Sequence, residues 1–418
     1  MNDFILRIGI YTRPEIRVRF HGPYRGQGQL LEGAQCLKSA ALYEPAADDA
    51  YFELEQVTIG VNFHWQRNEN QCFKGALELV AAPEGGWIAV NRVPLEVYLT
   101  SVISSEMSAE SDMELLKAHA VISRSWAMYQ LFPTYPPQAV PDATDSRLIR
   151  WYDREGHQLF DLCADDHCQR YQGITRQTNP QVEEAIEATR GMVLAYDNRL
   201  CDARFYKCCG GATEAYESAW DDTPHPYLRR VDDTRTPVAG DLRDEATASR
   251  FIRQAPEACC NTRDHRILSQ VLNHYDQETA DFYRWQVRYT QAQLSALVAR
   301  RSGIDFGEIQ DLIPLKRGVS GRIIELRIVG SRRSLVVGKE LEIRKWLSES
   351  HLYSSAFVVD RDATDFILRG AGWGHGVGLC QIGAAVMAAE GAGYRQILQH
   401  YYPGTQLCPL STLIPDTL

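Results

Sequence analysis

Residues 93–127 read VPLEVYLTSVISSEMSAESDMELLKAHAVISRSWA, and this stretch decides how the rest of the chain is organised. Pro94 suits the first turn of a helix, where its missing N–H costs nothing. Leu95, Tyr98, Leu99, Val102 and Ile103 then recur at i, i+3, i+4 spacing, which predicts an amphipathic helix. Ser111-Asp112-Met113-Glu114 has the form of a capping box and predicts the start of a second helix. That helix runs on through Leu115, Leu116, Ala120, Ile122 and Ala127 until Pro133, Pro136, Pro137 and Pro141 end it. Glu106 stands where the first helix stops and before the second begins. Such junctions face clefts, where a carboxylate can be partly desolvated and kept protonated. A solvated surface glutamate is the plain alternative.

Upstream, residues 1–88 read as a β-rich region. Phe4–Tyr11 and Ile16–Phe20 alternate apolar and polar residues, and turns such as Gly22-Pro23 separate the runs. Downstream, residues 235–313 carry helical stretches such as Asp241–Ala248 and Gln291–Arg301 with many charges, and suggest an inserted lobe. Strands resume at Ile323–Val329, and Phe366–Arg369 leads into a glycine-rich loop that opens a helix over Ile382–Ala389. The expected architecture is α+β: residues 1–88 β-rich, residues 89–234 and 314–410 a mixed core, and residues 235–313 a mainly helical insertion.

At 418 residues the chain is too long for one simple core and points to two or three lobes. A net charge of −10 argues against broad attraction to nucleic acid or to an anionic membrane. No apolar run is long enough to cross a bilayer as a helix. The opening MNDFILRIGIY lacks the charged and apolar regions of a signal peptide. Eleven cysteines is an odd count, so a full disulfide framework would leave one thiol over. The adjacent pairs Cys208-Cys209 and Cys259-Cys260 do not have ordinary disulfide spacing.

Two further constellations carry chemistry. Gly370-Ala371-Gly372-Trp373-Gly374-His375-Gly376-Val377-Gly378-Leu379-Cys380-Gln381-Ile382-Gly383 places glycine at alternate positions, so a ligand could approach the backbone closely. Trp373 and His375 interrupt it with a stacking ring and a hydrogen-bonding ring, both suited to sugars. The spacing is not GxGxxG, which argues against a nucleotide site. A tight strand-to-helix turn is the structural reading, and the two are compatible. His157, Cys163, His167 and Cys168 bring two imidazoles and two thiols within twelve residues, a set that suits tetrahedral Zn²⁺. Buried thiols with unrelated histidines are the alternative.

Taken in order, these pieces resemble the SpoIID/LytB family of sporulation stage II protein D and the amidase enhancers. The resemblance rests on Ser105-Glu106-Met107, Leu116–Ala127, His167-Cys168-Gln169-Arg170-Tyr171-Gln172-Gly173, Cys209-Gly210-Gly211-Ala212-Thr213-Glu214, Gly372–Ala384 and the closing His400-Tyr401-Tyr402-Pro403-Gly404-Thr405. The chain departs from the family pattern at His119, usually glutamine, at Trp126, usually tyrosine, and at Cys380 and Ile382, usually serine and tyrosine. Cys208-Cys209 stands where small hydroxyl residues are common.

The resemblance implies a lytic transglycosylase that cleaves the MurNAc–GlcNAc bond of peptidoglycan, with Glu106 as its general acid and base. Its expected substrate contacts are Arg124, Tyr171, Gln172, Trp373, His375 and Gln381. It implies a structural zinc at His157, Cys163, His167 and Cys168, and a location in the cell envelope outside the cytoplasmic membrane. Thiols are hard to keep reduced there unless a metal protects them. Glycan strands stripped of stem peptides are the expected partner, together with a cell-wall amidase. A non-catalytic, wall-binding activator of such an amidase is the rival function. A zinc peptidase is a weaker third reading: four protein ligands leave no open metal position, and no HExxH is present.

Overall fold

The structure, a computed structural model, describes residues 4–60, 67–108, 111–135, 142–151, 157–165, 167–176, 180–271 and 281–414. Its first eight strands are β1 (Ile5–Arg13), β2 (Ile16–Gly26), β3 (Gln29–Leu37), β4 (Ala41–Pro45), β5 (Tyr51–Ile59), β6 (Arg67–Phe73), β7 (Ala76–Ala81) and β8 (Trp87–Pro94). They lie in the order β1-β8-β7-β4-β2-β5-β6, with β3 on β2. The alternation read from sequence buries Leu6, Ile8, Ile16, Val18 and Phe20 on the inner face. A short strand, Leu162–Cys163, joins the edge parallel to β1, with Cys163 opposite Gly9. A side chain at Gly9 would meet the Phe160 ring at 2.7 Å, so glycine is what lets that edge close.

β8 runs directly into helix α1 (Leu95–Glu106), with Pro94 as both last strand residue and N-cap. Helix α2 (Met113–Leu131) opens one residue later than the capping-box reading required. Asp112 is the cap and accepts the Glu114 N–H at 2.8 Å. The Ser111 hydroxyl instead donates to the Ser108 and Gln270 carbonyls, both at 2.6 Å. Phe132 follows the helix, and Pro136, Pro137 and Pro141 lie outside the described residues.

Helix α2 is buried on two sides. Leu116, Ala120 and Ala127 pack into the core of the N-terminal sheet. Leu115, Ala118, Val121 and Ile122 pack into a second core with Leu379, Ile382 and Tyr401. From Ala118 to Gln130 every residue is buried, so the helix offers no solvated face there on which to place a charge. Arg124 sits on it, fully buried, and is held by Glu96 of α1 through two hydrogen bonds, Nε to Oε1 at 2.9 Å and Nη2 to Oε2 at 2.5 Å. Its Nη1 also donates to the Met192 carbonyl at 3.0 Å.

Residues 235–313 contribute helices Glu245–Gln254, His265–Val271 and Gln291–Ser302. The same segment supplies strand Arg284–Tyr289, which pairs antiparallel with Asp365–Ala371. It also begins strand Ile309–Arg317, which pairs with Ile323–Gly330. The segment thus shares both of these sheets with later strands. The whole is α+β, a strand-rich first part followed by a mixed core. Among the described residues, no helix is long and apolar enough to cross a membrane.

Removing one partner of a buried ion pair strands the other charge, which costs about 3–5 kcal/mol. Arg124→Met should lower unfolding free energy in urea by that amount, and Arg124→Met combined with Glu96→Leu should recover most of it. A single variant as stable as the parent would contradict this role.

Candidate active site

A cleft of about 280 Å³ opens at the end of α1, lined by Glu106, Arg170, Phe205, Tyr206, Lys207, Arg344, Trp373, Gly374, His375 and Gln381. Glu106 is the last residue of α1 and is partly buried. Its Oε1 accepts the backbone N–H of Arg170 at 3.0 Å. This bond fixes the carboxyl group at the cleft wall and ties the helix end to the loop that follows Cys168. Glu106 is the one carboxylate among the described lining residues, and three basic residues, Arg170, Lys207 and Arg344, share the lining with it. Of these, Arg344 is paired with the buried Glu340 at 3.1 Å, so Arg170 and Lys207 carry the basic character of the lining.

The glycine loop forms the opposite wall. Gly372, Gly374, Gly376 and Gly378 all have positive φ, between 75° and 103°. A Cβ at Gly378 would lie 2.0 Å from the Arg204 carbonyl, and one at Gly376 would lie 2.5 Å from the Arg322 guanidinium. The alternate glycines are therefore required by the protein's own packing; the close approach is to backbone and arginine. His375 Nε2–H donates to the Phe205 carbonyl, and its Nδ1 accepts the Val377 N–H, both at 3.0 Å. With both nitrogens engaged, one tautomer is set. Burial, and then the nearby Arg204, Arg344 and Arg322, holds its pKa well below the ordinary range. It stays neutral and braces the loop. Trp373 packs on Tyr353 with ring centroids 4.3 Å apart and offers its remaining surface to the cleft. Gln381 Nε2 reaches His119 Nε2 at 3.3 Å, and His119 Nδ1 meets the Ser123 hydroxyl at 3.1 Å. The position that departs from the family pattern thus supports a residue of the cleft.

The ligand atoms of His157, Cys163, His167 and Cys168 all lie within 4.8 Å of one another. Cys168 Sγ is 3.5 Å from His157 Nε2 and 3.6 Å from His167 Nδ1, and Cys163 Sγ is 3.8 Å from His167 Nδ1. The Cys163 thiol is held far below its ordinary pKa, first by a hydrogen bond with Cys168 and further by one with His167. One residue separates Cys168 from Arg170, whose N–H holds Glu106, so this cluster lies beside the loop that fixes the acid.

The sequence-expected contacts divide. Trp373, His375 and Gln381 line the cleft with Glu106. Arg124 does not: it is enclosed beneath, bonded to Glu96. Tyr171 is also buried away from this lining, its hydroxyl donating to Asn91 Oδ1 at 2.6 Å and its ring stacked on Tyr98. Gln172 is buried, with its N–H on the Ser101 hydroxyl at 3.0 Å. Arg170, Phe205, Tyr206, Lys207 and Arg344 went unread, because they come from separate segments and only the fold joins them. The shared motif at 167–173 did point to Arg170, but through a side chain next to it. Glu214 of the Thr213-Glu214 motif is buried and accepts hydrogen bonds from Val319 N at 2.9 Å and Ser320 Oγ at 2.6 Å, which makes it a structural brace.

His119 gives a pH test. Burial, and then Lys207, lowers its pKa from 6.5 to about 3. The unfolded chain binds a proton near pH 6.5 where the folded chain does not, so stability is complete above that value and falls as pH drops from about 6.5 toward 3. The slope contributed by this one group approaches ~1.4 kcal/mol per pH unit. Unfolding free energies of the parent and of His119→Gln, measured from pH 7 to pH 4, should show the shallower fall in the variant. Parallel curves would contradict a buried neutral His119.

Comparison with known proteins accords with this arrangement. Residues 83–196 match the family described as Stage II sporulation protein (SpoIID), and residues 214–378 match a domain of unknown function (DUF8618). Glu106 and Arg170 fall in the first stretch, and Arg344, Trp373 and His375 in the second, so the cleft draws on both. The chain is 25% identical over 318 residues to the amidase enhancer of Bacillus subtilis (strain 168), covering 74% of this chain and 40% of that protein. It is 25% identical over 321 residues to stage II sporulation protein D of Bacillus amyloliquefaciens, covering 76% of this chain and 75% of the relative. It is 24% identical over 341 residues to the stage II sporulation protein D of Bacillus subtilis (strain 168), covering 80% and 82%. The chain therefore spans less than half of the amidase enhancer and most of the sporulation proteins. Residues 83–196 thus match the SpoIID family, and the chain is similar to stage II sporulation protein D and the amidase enhancer over most of its length.

Proposed function

We propose that the protein is a peptidoglycan lytic transglycosylase of the cell envelope, acting outside the cytoplasmic membrane on glycan strands, with Glu106 as its single acid and base. The relatives' names support a cell-wall role. The observation that carries the enzymatic reading is one carboxylate, held by the Arg170 N–H, in a cleft whose other described lining residues are aromatic, basic or neutral. Ordinary glycoside hydrolysis uses two carboxylates. A single one suffices if the nucleophile belongs to the substrate. Glu106, protonated, gives its proton to the glycosidic oxygen as the bond to MurNAc C1 breaks. The MurNAc 6-hydroxyl attacks C1, and its proton returns to Glu106. The products are a GlcNAc hydroxyl end and a 1,6-anhydroMurNAc end. An internal hydroxyl has a very high effective concentration, which replaces an activated water. Since Oε1 accepts an N–H, the acidic proton belongs on Oε2. Trp373, Phe205 and Tyr206 supply ring faces for sugars.

The basic lining also bears on the substrate. Removing a stem peptide by amide cleavage exposes the lactyl carboxylate of each MurNAc. Arg170 and Lys207 suit that anion, so denuded strands should react faster than peptide-bearing ones. Similarity to an amidase enhancer keeps a second reading open, in which the chain binds wall and activates a partner amidase.

We further propose that His157, Cys163, His167 and Cys168 hold a structural Zn²⁺. The donor set and the mutual distances fit four-coordinate zinc. Bound there, the ion would supply cross-linking of the loop to the sheet edge and no part of the reaction.

Two measurements test these readings. Glu106→Gln keeps the shape but cannot transfer the proton, so turnover of denuded strands should fall by a factor on the order of 10²–10⁴ while glycan binding persists. An active Glu106→Gln protein would remove the assigned acid; an inactive parent that stimulates an amidase would favour the second reading. Cys163→Ser with Cys168→Ser should lose about one equivalent of zinc relative to the parent, together with thermal stability. Equal zinc in the two proteins would exclude this site.

A further inference from the structure

Behind the glycine-loop wall lies a second group of sulfur ligands, contributed by residues as far apart as Cys209 and Cys380, 171 positions in sequence. The Sγ atoms of Cys209, Cys260 and Cys380 and a carboxylate oxygen of Asp233 all lie within 4.8 Å of one another, and all four residues are buried. Cys209 Sγ is 3.3 Å from Cys260 Sγ and 3.4 Å from Asp233 Oδ2. Ligands at about 2.3 Å in a tetrahedron around zinc stand roughly 3.8 Å apart, so these spacings match a single ion. A multi-iron cluster interposes its own sulfides and would spread its cysteines wider.

The surroundings are built for negative charge on these atoms. Cys380 Sγ accepts the Cys209 N–H at 3.2 Å and the Gly383 N–H at 3.4 Å, the latter from the first turn of helix Gln381–Ala389, which Cys380 caps. Cys209 Sγ accepts the Gly211 N–H at 3.3 Å. Asp233 Oδ2 accepts the Cys260 N–H at 3.1 Å, and Oδ1 accepts the Tyr401 hydroxyl at 2.8 Å. Two guanidinium groups flank the Cys209-Gly210 turn. Arg322 is fully buried and donates to the Cys209 and Gly374 carbonyls and the Ser320 hydroxyl. Arg284 donates to the Gly210, Tyr283, Ile252 and Phe251 carbonyls. None of these partners is a carboxylate. A buried cation such as Arg322 is costly without an anionic partner, and a thiolate at Cys209, whose carbonyl Arg322 holds, would supply one.

We infer that Cys209, Asp233, Cys260 and Cys380 form a second, structural site for one thiophilic divalent cation, with zinc as the fitting ion. The ion would clamp four segments from behind the cleft. Cys209 follows Tyr206 and Lys207, and Cys380 precedes Gln381, all lining residues. Asp233 and Cys260 bring in the segment before and after helix Glu245–Gln254. This inference is independent of the catalytic reading. At the proposed location outside the cytoplasmic membrane, a bound ion would also protect three of the chain's eleven cysteines from oxidation.

Metal analysis of the parent protein purified without added metal is expected to find about two equivalents of zinc. Cys163→Ser with Cys168→Ser should keep one, and Cys209→Ser with Cys380→Ser should keep the other. Should the latter variant fail to fold, the former is loaded with cobalt: the strong sulfur-to-cobalt absorption of a three-thiolate site is expected. Should neither variant fold, cobalt titration of the parent should saturate at about two equivalents with two distinct spectra. Metal-free, folded Cys163→Ser/Cys168→Ser protein without that absorption overturns the inference. So does a parent titration that ends at one two-thiolate site, or a Cys209–Cys260 disulfide in a peptide map of the parent.

Discussion

The bidentate pair between Glu96 and Arg124 is the constraint on which the site depends. It joins α1 to α2 in a region that excludes water, and Arg124 carries the lock onward to the Met192 carbonyl. A third bond to Glu96, from the Gly191 N–H at 3.2 Å, closes the same junction. Because these contacts fix the start of α1 against the middle of α2, the far end of α1 has one place to stop. Glu106 is at that end. The ion pair contributes precision more than stability, since an apolar pair of the same shape would pack as well.

From there the architecture converges on the cleft from three directions. The sheet edge at Leu162–Cys163 brings the His/Cys cluster beside the loop whose Arg170 N–H holds Glu106. The glycine loop folds onto strand Phe205–Tyr206, which pairs parallel with Leu379–Cys380. His375 stitches the two through the Phe205 carbonyl. The result is a wall whose side chains are largely committed to other contacts before any ligand arrives. Such preorganisation suits a reaction whose nucleophile is already part of the substrate.

Much of this was legible in the residues. Apolar spacing at Leu95, Tyr98, Leu99, Val102 and Ile103 marked α1, and alternation marked β1 and β2, because local periodicity reports which face is buried. Trp373, His375 and Gln381 were found by an unusual loop composition. The misreadings share one cause. Ser111 was taken as a cap, but the Gln270 carbonyl, 159 positions away, draws its hydroxyl. Arg124 and Tyr171 sit in the quoted motifs, yet the fold encloses them: a guanidinium bonded to Glu96 and a phenol bonded to Asn91; Gln172 is likewise buried outside the cleft lining. Lys207 and Arg344 carry no local signal at all, since a basic residue reads the same in a cleft as on an open surface. The cysteines at 209, 260 and 380 were noticed as oddities, and only the tertiary fold shows them as one cluster.

The central claim is that one carboxylate serves both proton transfers while the substrate provides the nucleophile. Digesting denuded glycan strands in water enriched in heavy oxygen tests it most directly. The account predicts MurNAc ends that carry no heavy oxygen and are lighter by one water than reducing ends. Reducing MurNAc ends carrying one heavy oxygen would show that water attacks C1, and would contradict it.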